Sequence, residues 1–397
     1  MDLMTTAKDG LSQLDVSEKV KSAALVNLQM WLTAPAFAEY VPQIRFLIEE
    51  GKWEVLLDSF YQVIPFGTGG RRGPVGIGPN RINAWTIQAS AQGHCQYLRR
   101  QYGEQANLRG VVLTFDVRRY AQKGVYAEDR PNPVKALDGW MLARAAAEVY
   151  TANGMKVYLF KTARSTPELS FAIRHLNAVS GDMFSASHNL PPDNGKKVYD
   201  EHGGQLIPPH DQDLVDEVTR NVSEIERLNF EEACAKGRVV FVGEEIDRAY
   251  QAAARSVSMS TARDVTIFYS PLHGTGLSTV YPVLQQLGFD VRLCPKTSNP
   301  SGAFENVTFN IPNPEVVESF DASLPFARQA GADLLISTDP DADRIGIMAN
   351  HHGEWTFLTG NEIGILLTQY AVDKLRAAGA LHGGRTIIKT DVTTSLI

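Results

Sequence analysis

At 397 residues the chain is about two to three times the usual length of one domain, so several cores are expected. Its 44% hydrophobic and 21% charged residues exclude global disorder. The balance of 38 Lys+Arg against 45 Asp+Glu, a formal charge of -7, is the opposite of the basic footprint of a nucleic-acid binder, so DNA and RNA are not expected partners.

The three cysteines, Cys95, Cys234 and Cys294, are far apart and lack metal-ligand spacing, which argues against a disulfide scaffold or a structural zinc site. The first twenty residues carry acids where a secretory signal needs a basic start, and no stretch offers the roughly 20 uninterrupted apolar residues of a membrane span. A cytoplasmic protein with no membrane partner is expected.

In chain order, residues 1–62 read as a helical lead-in, with apolar positions such as Ile44, Leu47, Ile48, Leu56, Leu57 and Phe60 at helical spacing. VVLTFDV at 111–117, a helix at 136–153, MKVYLF at 155–160 and a helix at 167–179 then predict βαβ units and a mostly parallel sheet in a first α/β domain, 63–212. A second α/β domain, 213–350, is expected from RVVFVG at 238–243, VTIFYS at 265–270, a helix at 276–288, FDVRLC at 289–294 and ADLLIST at 332–338. A third, 351–397, begins with WTFLTG and a helix opened by Asn361, and continues into a strand at 385–392. Ending there leaves an uncovered strand and apolar tail, which suggests a C-terminally incomplete domain.

The most specific chemistry lies in STDPDADRIGI. If the loop after ADLLI is extended, Asp339, Asp341 and Asp343 point to one side, and three carboxylates so placed repel unless a hard cation, most naturally Mg²⁺, joins them. A solvated acidic turn is the bland alternative. An EF-hand is excluded, because Arg344 holds the loop position that needs Gly and Asn350 the one that needs Glu.

FSASHNLPPDNGKKVYD groups Ser185, Ser187, His188 and Asn189 ahead of an Asp193-Asn194-Gly195 turn and Lys197. A hydroxyl, an imidazole and an ammonium suit phosphoryl transfer, although segments rich in Ser, Pro and Asn-Gly are usually plain turns and composition alone favours that reading. FGTGGRRGPVGIGPNRIN combines close-approach glycines with Arg71, Arg72 and Arg81, residue types that hold oxyanions. Asp116 and Arg118 end the strand 111–117, where a structural ion pair competes with function, and His273 in YSPLHGTG reads as a structural histidine.

Taken in order, FGTGGRRG, TFDVRR, SASHNLPPDNGKKVY, YSPLHGTG, PNPE and DPDADR resemble the α-D-phosphohexomutase superfamily, most closely its phosphoglucomutase 2/phosphopentomutase branch. The resemblance runs from about Phe66 onward. It implies tandem mixed α/β domains, with the first two present, the third partial, and a fourth, phosphate-binding domain absent. It implies a mutase that moves phosphate between C1 and C6 of a hexose, or C1 and C5 of a pentose, through a phosphoserine at Ser187 and a sugar bisphosphate intermediate. Mg²⁺ would be held by Asp339, Asp341, Asp343 and a phosphate oxygen on Ser187. Lys197 matches an acid/base or charge-stabilising position and His188 a position near the transfer; Arg72, Arg118, Asn189 and Arg344 match phosphate-holding positions. Leu190 stands where the family commonly has Pro, Ser185 where Thr is common, and Arg71 where the residue is usually apolar. The same motifs also fit a noncatalytic phosphosugar-binding remnant, or a sugar-1,6-bisphosphate synthase that differs in its phosphate donor.

Overall fold

The computed structural model describes residues 2–67, 69–218, 222 and 224–396. They form two compact units, Met1–Gly243 and Glu244–Ile397.

The first unit opens with four helices, α1 (Leu3–Ser12), α2 (Glu18–Thr33), α3 (Val41–Glu49) and α4 (Trp53–Phe60). There follow β1 (Gly70–Pro74), α5 (Ala84–Tyr102), α6 (Gln105–Arg109), β2 (Val111–Phe115), α7 (Gly139–Ala152), β3 (Val157–Phe160), α8 (Thr166–His175), β4 (Ser180–Phe184), β5 (Asp193–Tyr199), α9 (His210–Asp216), α10 (Phe230–Ala235) and β6 (Val239–Val242). The sheet runs β1-β5-β4-β2-β3-β6. Its β4, β2, β3 and β6 are parallel neighbours, while β5 and β1 add antiparallel strands at one edge. All five residues of β2 are buried, as a central strand packed by α7 and α8 requires. The lead-in is part of the same core: Leu28, Trp31, Ile44 and Leu47 join one apolar cluster with Leu113, Leu142 and Val157.

Two expectations change here. Asp193-Asn194-Gly195 is the start of β5 rather than a turn: it pairs with β1, and a Cβ on Gly195 would lie 2.6 Å from the carbonyl oxygen of Arg71. The 238–243 segment closes the edge of the first sheet beside β3, because its apolar run finds a parallel partner there rather than in the second unit.

The second unit contains α11 (Glu244–Arg255), β7 (Thr266–Ser270), α12 (Gly276–Gln286), β8 (Asp290–Leu293), α13 (Leu324–Gln329), β9 (Leu334–Thr338), β10 (Ile345–His351), β11 (Glu354–Leu358) and α14 (Gly360–Ala377). The strand order is β11-β10-β9-β7-β8, with parallel pairing in β9-β7-β8 and antiparallel pairing in β11-β10-β9. Residues expected to begin a third domain, WTFL, therefore form β11 of this sheet, since the tight turn after His351 brings them back onto β10. Thr359, rather than Asn361, caps α14: its hydroxyl accepts from the Glu362 N–H at 3.3 Å, and the Glu362 carboxylate accepts from the Thr359 N–H at 2.7 Å. The strand expected at 385–392 is coil and turn, because no described strand pairs with it.

No helix among the described residues is long and apolar enough to cross a membrane. The three cysteines form no disulfide.

Candidate functional site

In the first unit the site is built where two parallel strands end together. β2 and β4 are in register up to Phe115 and Phe184, so Asp116 and Ser185 leave the sheet side by side at its carboxyl edge, the usual place for function in an open α/β sheet. The Asp116 N–H donates to the Phe184 carbonyl at 3.1 Å. Ser185 is fully buried; its hydroxyl donates to Asp116 Oδ2 at 2.6 Å and accepts from the Ser187 N–H at 2.7 Å. Ser187 itself is buried, with its backbone in the left-handed region at φ 54° and the His188 Nδ1 at 3.4 Å from its Oγ.

Arg118 does not occupy the place expected of a phosphate holder. It is 1% exposed, and its guanidinium donates to the carbonyls of Ser187 (2.6 Å), Asn189 (2.6 Å), Leu190 (2.8 Å) and Asp193 (3.1 Å), with Asp116 Oδ2 at 3.3 Å from its Nε. A buried guanidinium committed to the loop beneath Ser187 braces that loop, in keeping with the ion-pair reading. The Asn189 amide likewise donates within the loop, to Asp193 Oδ2 at 2.9 Å.

Of the three arginines in the glycine-rich segment, Arg71 is buried and donates to the Thr86 carbonyl, and Arg81 pairs with Asp58 at 2.5 Å. Only Arg72 is exposed. Burial pulls the Arg71 guanidinium down to about 10.

Lys197 lies buried in β5 opposite Gly70 of β1 and Met183 of β4. Its neighbour Lys196 faces the other side of the sheet. There Lys196 Nζ meets Asp182 Oδ1 at 2.9 Å, Tyr150 donates to Asp182 Oδ2 at 2.7 Å, and His94 Nδ1 stands 2.6 Å from the Tyr150 hydroxyl. Burial raises the Asp182 carboxyl and lowers the Lys196 ammonium, each partner opposing the other's shift, and burial first, then Lys196, holds His94 well below its ordinary value. Sequence reasoning missed this network. Its signals were Asp182 inside SGDMF and the adjacent lysines of DNGKKVY, which as neighbours face opposite sides of a strand.

In the second unit the acidic loop leaves β9 directly after Thr338. Asp339 and Asp341 are fully buried and Asp343 is exposed; one oxygen of each lies within 4.8 Å of the others. The convergence comes from a turn rather than an extended loop: Ala342 has φ 52°, and Asp339 Oδ1 accepts from the N–H groups of Asp343 and Arg344, both at 3.1 Å. Three hard oxygen donors so close, two of them out of water, fit a divalent ion such as Mg²⁺.

The loop after β7 holds this turn from beside it. Thr275 donates to the Pro340 carbonyl through both its N–H (2.9 Å) and its hydroxyl (3.0 Å), and a Cβ on Gly274 would lie 2.5 Å from Pro340 Cα. His273 is buried and its Nδ1–H donates to the Asn299 carbonyl at 2.7 Å. Arg344 is partly exposed and pairs with Glu315 of the PNPE segment at 3.1 Å.

The family model for phosphoglucomutase/phosphomannomutase alpha/beta/alpha domain I matches residues 137–224, and that for alpha/beta/alpha domain II matches 246–353. The chain belongs to the α-D-phosphohexomutase superfamily. It is 33% identical over 343 residues to a phosphoglucomutase of Staphylococcus saprophyticus, a match covering 85% of this chain and 57% of the relative. A Staphylococcus aureus phosphoglucomutase is 32% identical over 346 residues, covering 85% and 58%. The chain thus spans under three-fifths of the length of these relatives.

Among solved structures, a Thermus thermophilus protein bearing the name of a phosphomannomutase aligns with a TM-score of 0.62 at 24% identity, covering 79% of this chain and 62% of its own. A phosphoglucomutase/phosphomannomutase family protein of Burkholderia thailandensis aligns with a TM-score of 0.57 at 17% identity, covering 77% and 58%. Both share the fold. In this superfamily member the serine loop falls inside the domain I match and the acidic loop inside the domain II match, whereas Arg72, Asp116 and Arg118 precede both.

Proposed function

We propose that the chain carries the phosphoryl-transfer machinery of a phosphosugar mutase, acting on a hexose phosphate between C1 and C6. The observation that carries this reading is the convergence of Asp339, Asp341 and Asp343 to within 4.8 Å in the family's second domain. Those three carboxylates would hold Mg²⁺, which when bound supplies charge neutralisation for phosphoryl transfer.

Ser187 is the residue we assign as phosphorylated, because the Ser185 hydroxyl is already committed to Asp116 and to the Ser187 N–H. Its phosphoryl group passes to a sugar hydroxyl: the P–O bond to the sugar forms as the P–Oγ bond breaks. The hydroxyl proton ends on the released Oγ, carried by Lys197. The second phosphoryl group of the resulting bisphosphate then returns to Ser187 by the reverse exchange. His188 beside the Oγ and the exposed Arg72 would support phosphoryl oxygens at Ser187, and Arg344 offers a guanidinium of the same kind in its own unit. The relatives' name, phosphoglucomutase, favours a hexose over a pentose.

Incubation with glucose 1,6-bisphosphate and Mg²⁺ should place one phosphate on Ser187 by mass spectrometry, with ribose 1,5-bisphosphate a poorer donor. Label that persists in Ser187→Ala and is lost in Ser185→Ala would overturn the assignment. Calorimetry should show Mn²⁺ binding that weakens at least tenfold in Asp341→Asn; unchanged binding would reject the metal site.

A further inference from the structure

We propose that Arg118 and Asp116 are positioning residues that shape the Ser187 loop into an anion receptor, turning its peptide N–H groups toward the phosphoryl oxygens. The inference rests on the reading of Ser187 as the phosphorylated residue. It concerns two groups that touch no substrate.

The geometry is specific. Burying a guanidinium at 1% exposure and a carboxylate at 2% is costly unless both are well partnered, and a loop could be held by apolar packing instead. Here the guanidinium is committed to one short segment, drawing in the carbonyls of Ser187, Asn189, Leu190 and Asp193 at 2.6–3.1 Å. A trans peptide is planar, with its N–H opposite its C=O. When the Ser187 and Asn189 carbonyls face Arg118, the N–H groups of His188 and Leu190 must face the other way. The Asn189 N–H between them is kept inside the loop by the Ala186 carbonyl at 3.1 Å, so it is the His188 and Leu190 N–H groups that are turned outward as donors to an anion.

Asp116 completes the device from the end of β2. Its Oδ1 accepts the Arg118 N–H at 2.9 Å, and its Oδ2 accepts the Ser185 hydroxyl, which in turn accepts the Ser187 N–H. That chain holds Ser187 at φ 54°, a region a non-glycine residue adopts only when its surroundings impose it. The carboxylate therefore fixes the backbone of the nucleophile while the guanidinium orients the peptides that follow. Asp116 also lies close enough to Arg118 to offset its charge in the buried site.

The test uses the full chain, phosphorylated in the presence of Mg²⁺ and then exchanged into EDTA, so that no metal contributes to the titration. Ser187 is phosphorylated with glucose 1,6-bisphosphate in wild type, Arg118→Lys, Arg118→Met and Asp116→Asn, and the ³¹P resonance of the phosphoserine is titrated with pH. In Arg118→Lys and Arg118→Met the phosphorylation rate should fall about 100-fold, the cost of losing alignment by about an ångström. The ³¹P titration midpoint should move upward as N–H donors to the dianion are lost, a change that a merely structural role would not cause.

If Arg118→Met fails to fold, Asp116→Asn, which preserves size and removes only the charge, decides the question by the same two readouts. Folded variants whose rate and ³¹P midpoint stay within twofold and 0.2 pH units, roughly the precision that matters for a shifted phosphate, would overturn the inference while leaving Ser187 as nucleophile. Absence of phosphate on Ser187 in wild type would overturn both readings.

Discussion

The serine loop and the acidic loop solve the same problem, a turn held in one conformation at the end of a parallel strand, with different materials. The serine loop stands on buried charge: Arg118 and Asp116 beneath it, and Lys196 with Asp182 on the far side of the strands that flank it. The acidic loop carries its own charge, so it is braced by neutral groups, the Thr275 N–H and hydroxyl and the bare Cα of Gly274 against Pro340. A cation placed beneath three converging carboxylates would compete with a metal for them. Beneath the serine loop, which we propose receives phosphate, a cation would work with the ligand.

The sharpest break of this comparison is Lys196→Met. It leaves the fully buried Asp182 without its ion-pair partner and should lower stability by about 3–5 kcal/mol in urea denaturation. The pair Asp182→Leu/Lys196→Met should recover most of that loss, and a single-variant cost below about 1 kcal/mol would remove buried charge from the account of this unit.

The counterpart in the acidic loop is Gly274→Ala, whose new Cβ would meet Pro340 Cα at 2.5 Å. Overpacking of that kind should cost about 1–3 kcal/mol and weaken Mn²⁺ binding in calorimetry. Unaltered metal affinity in a folded variant would show that the neutral brace does not set the ligand geometry.

Acid should also separate the two regions. His94 is held neutral in the folded state, with its value depressed by burial and by Lys196, so the unfolded chain binds more protons below its own value. The contribution is complete above pH about 6.5 and is lost as pH falls below it, with a slope of up to ~1.4 kcal/mol per unit. His94→Gln should flatten that slope between pH 5 and 6.5, roughly the window set by the unfolded histidine; an identical slope in both proteins would deny His94 its part. The smallest effect is expected from Glu315→Gln, which breaks the partly exposed pair with Arg344 and should cost less than about 1 kcal/mol.

Much of this was legible in the residues. The apolar runs before Asp116, Ser185 and Asp339 marked strand ends, and strand ends are where loops can converge on a ligand. Less legible was what each polar group faces. Arg118, by its type, suited phosphate as well as carbonyl oxygens; only the register of β2 beside β4 puts it under the serine loop. The Asp193-Asn194-Gly195 string has turn composition, yet the approach of β1 makes it a strand in which only glycine fits at 195. Lys196 and Asp182 lie in different strands, and their pairing is a fact of the hairpin that sequence spacing does not encode. The 385–392 run has strand composition without a strand partner.

Gln43 of α3 bears on what counts as one module. Its side-chain amide donates to the carbonyls of Ala127, Arg130 and Pro131 at 3.0–3.1 Å, and its carbonyl oxygen accepts the Ala127 N–H at 2.8 Å. The segment so gripped is the connection that leaves Arg118 and enters α7. Trp31 of α2 meanwhile packs edge-on against Trp85 of α5, 5.6 Å between ring centres. The family's first domain is matched only from residue 137, but the piece that can be exchanged between relatives without tearing a core starts at the first helix. Chimeras cut at the edge of the sequence match would leave the Arg118 connection without its Gln43 anchor.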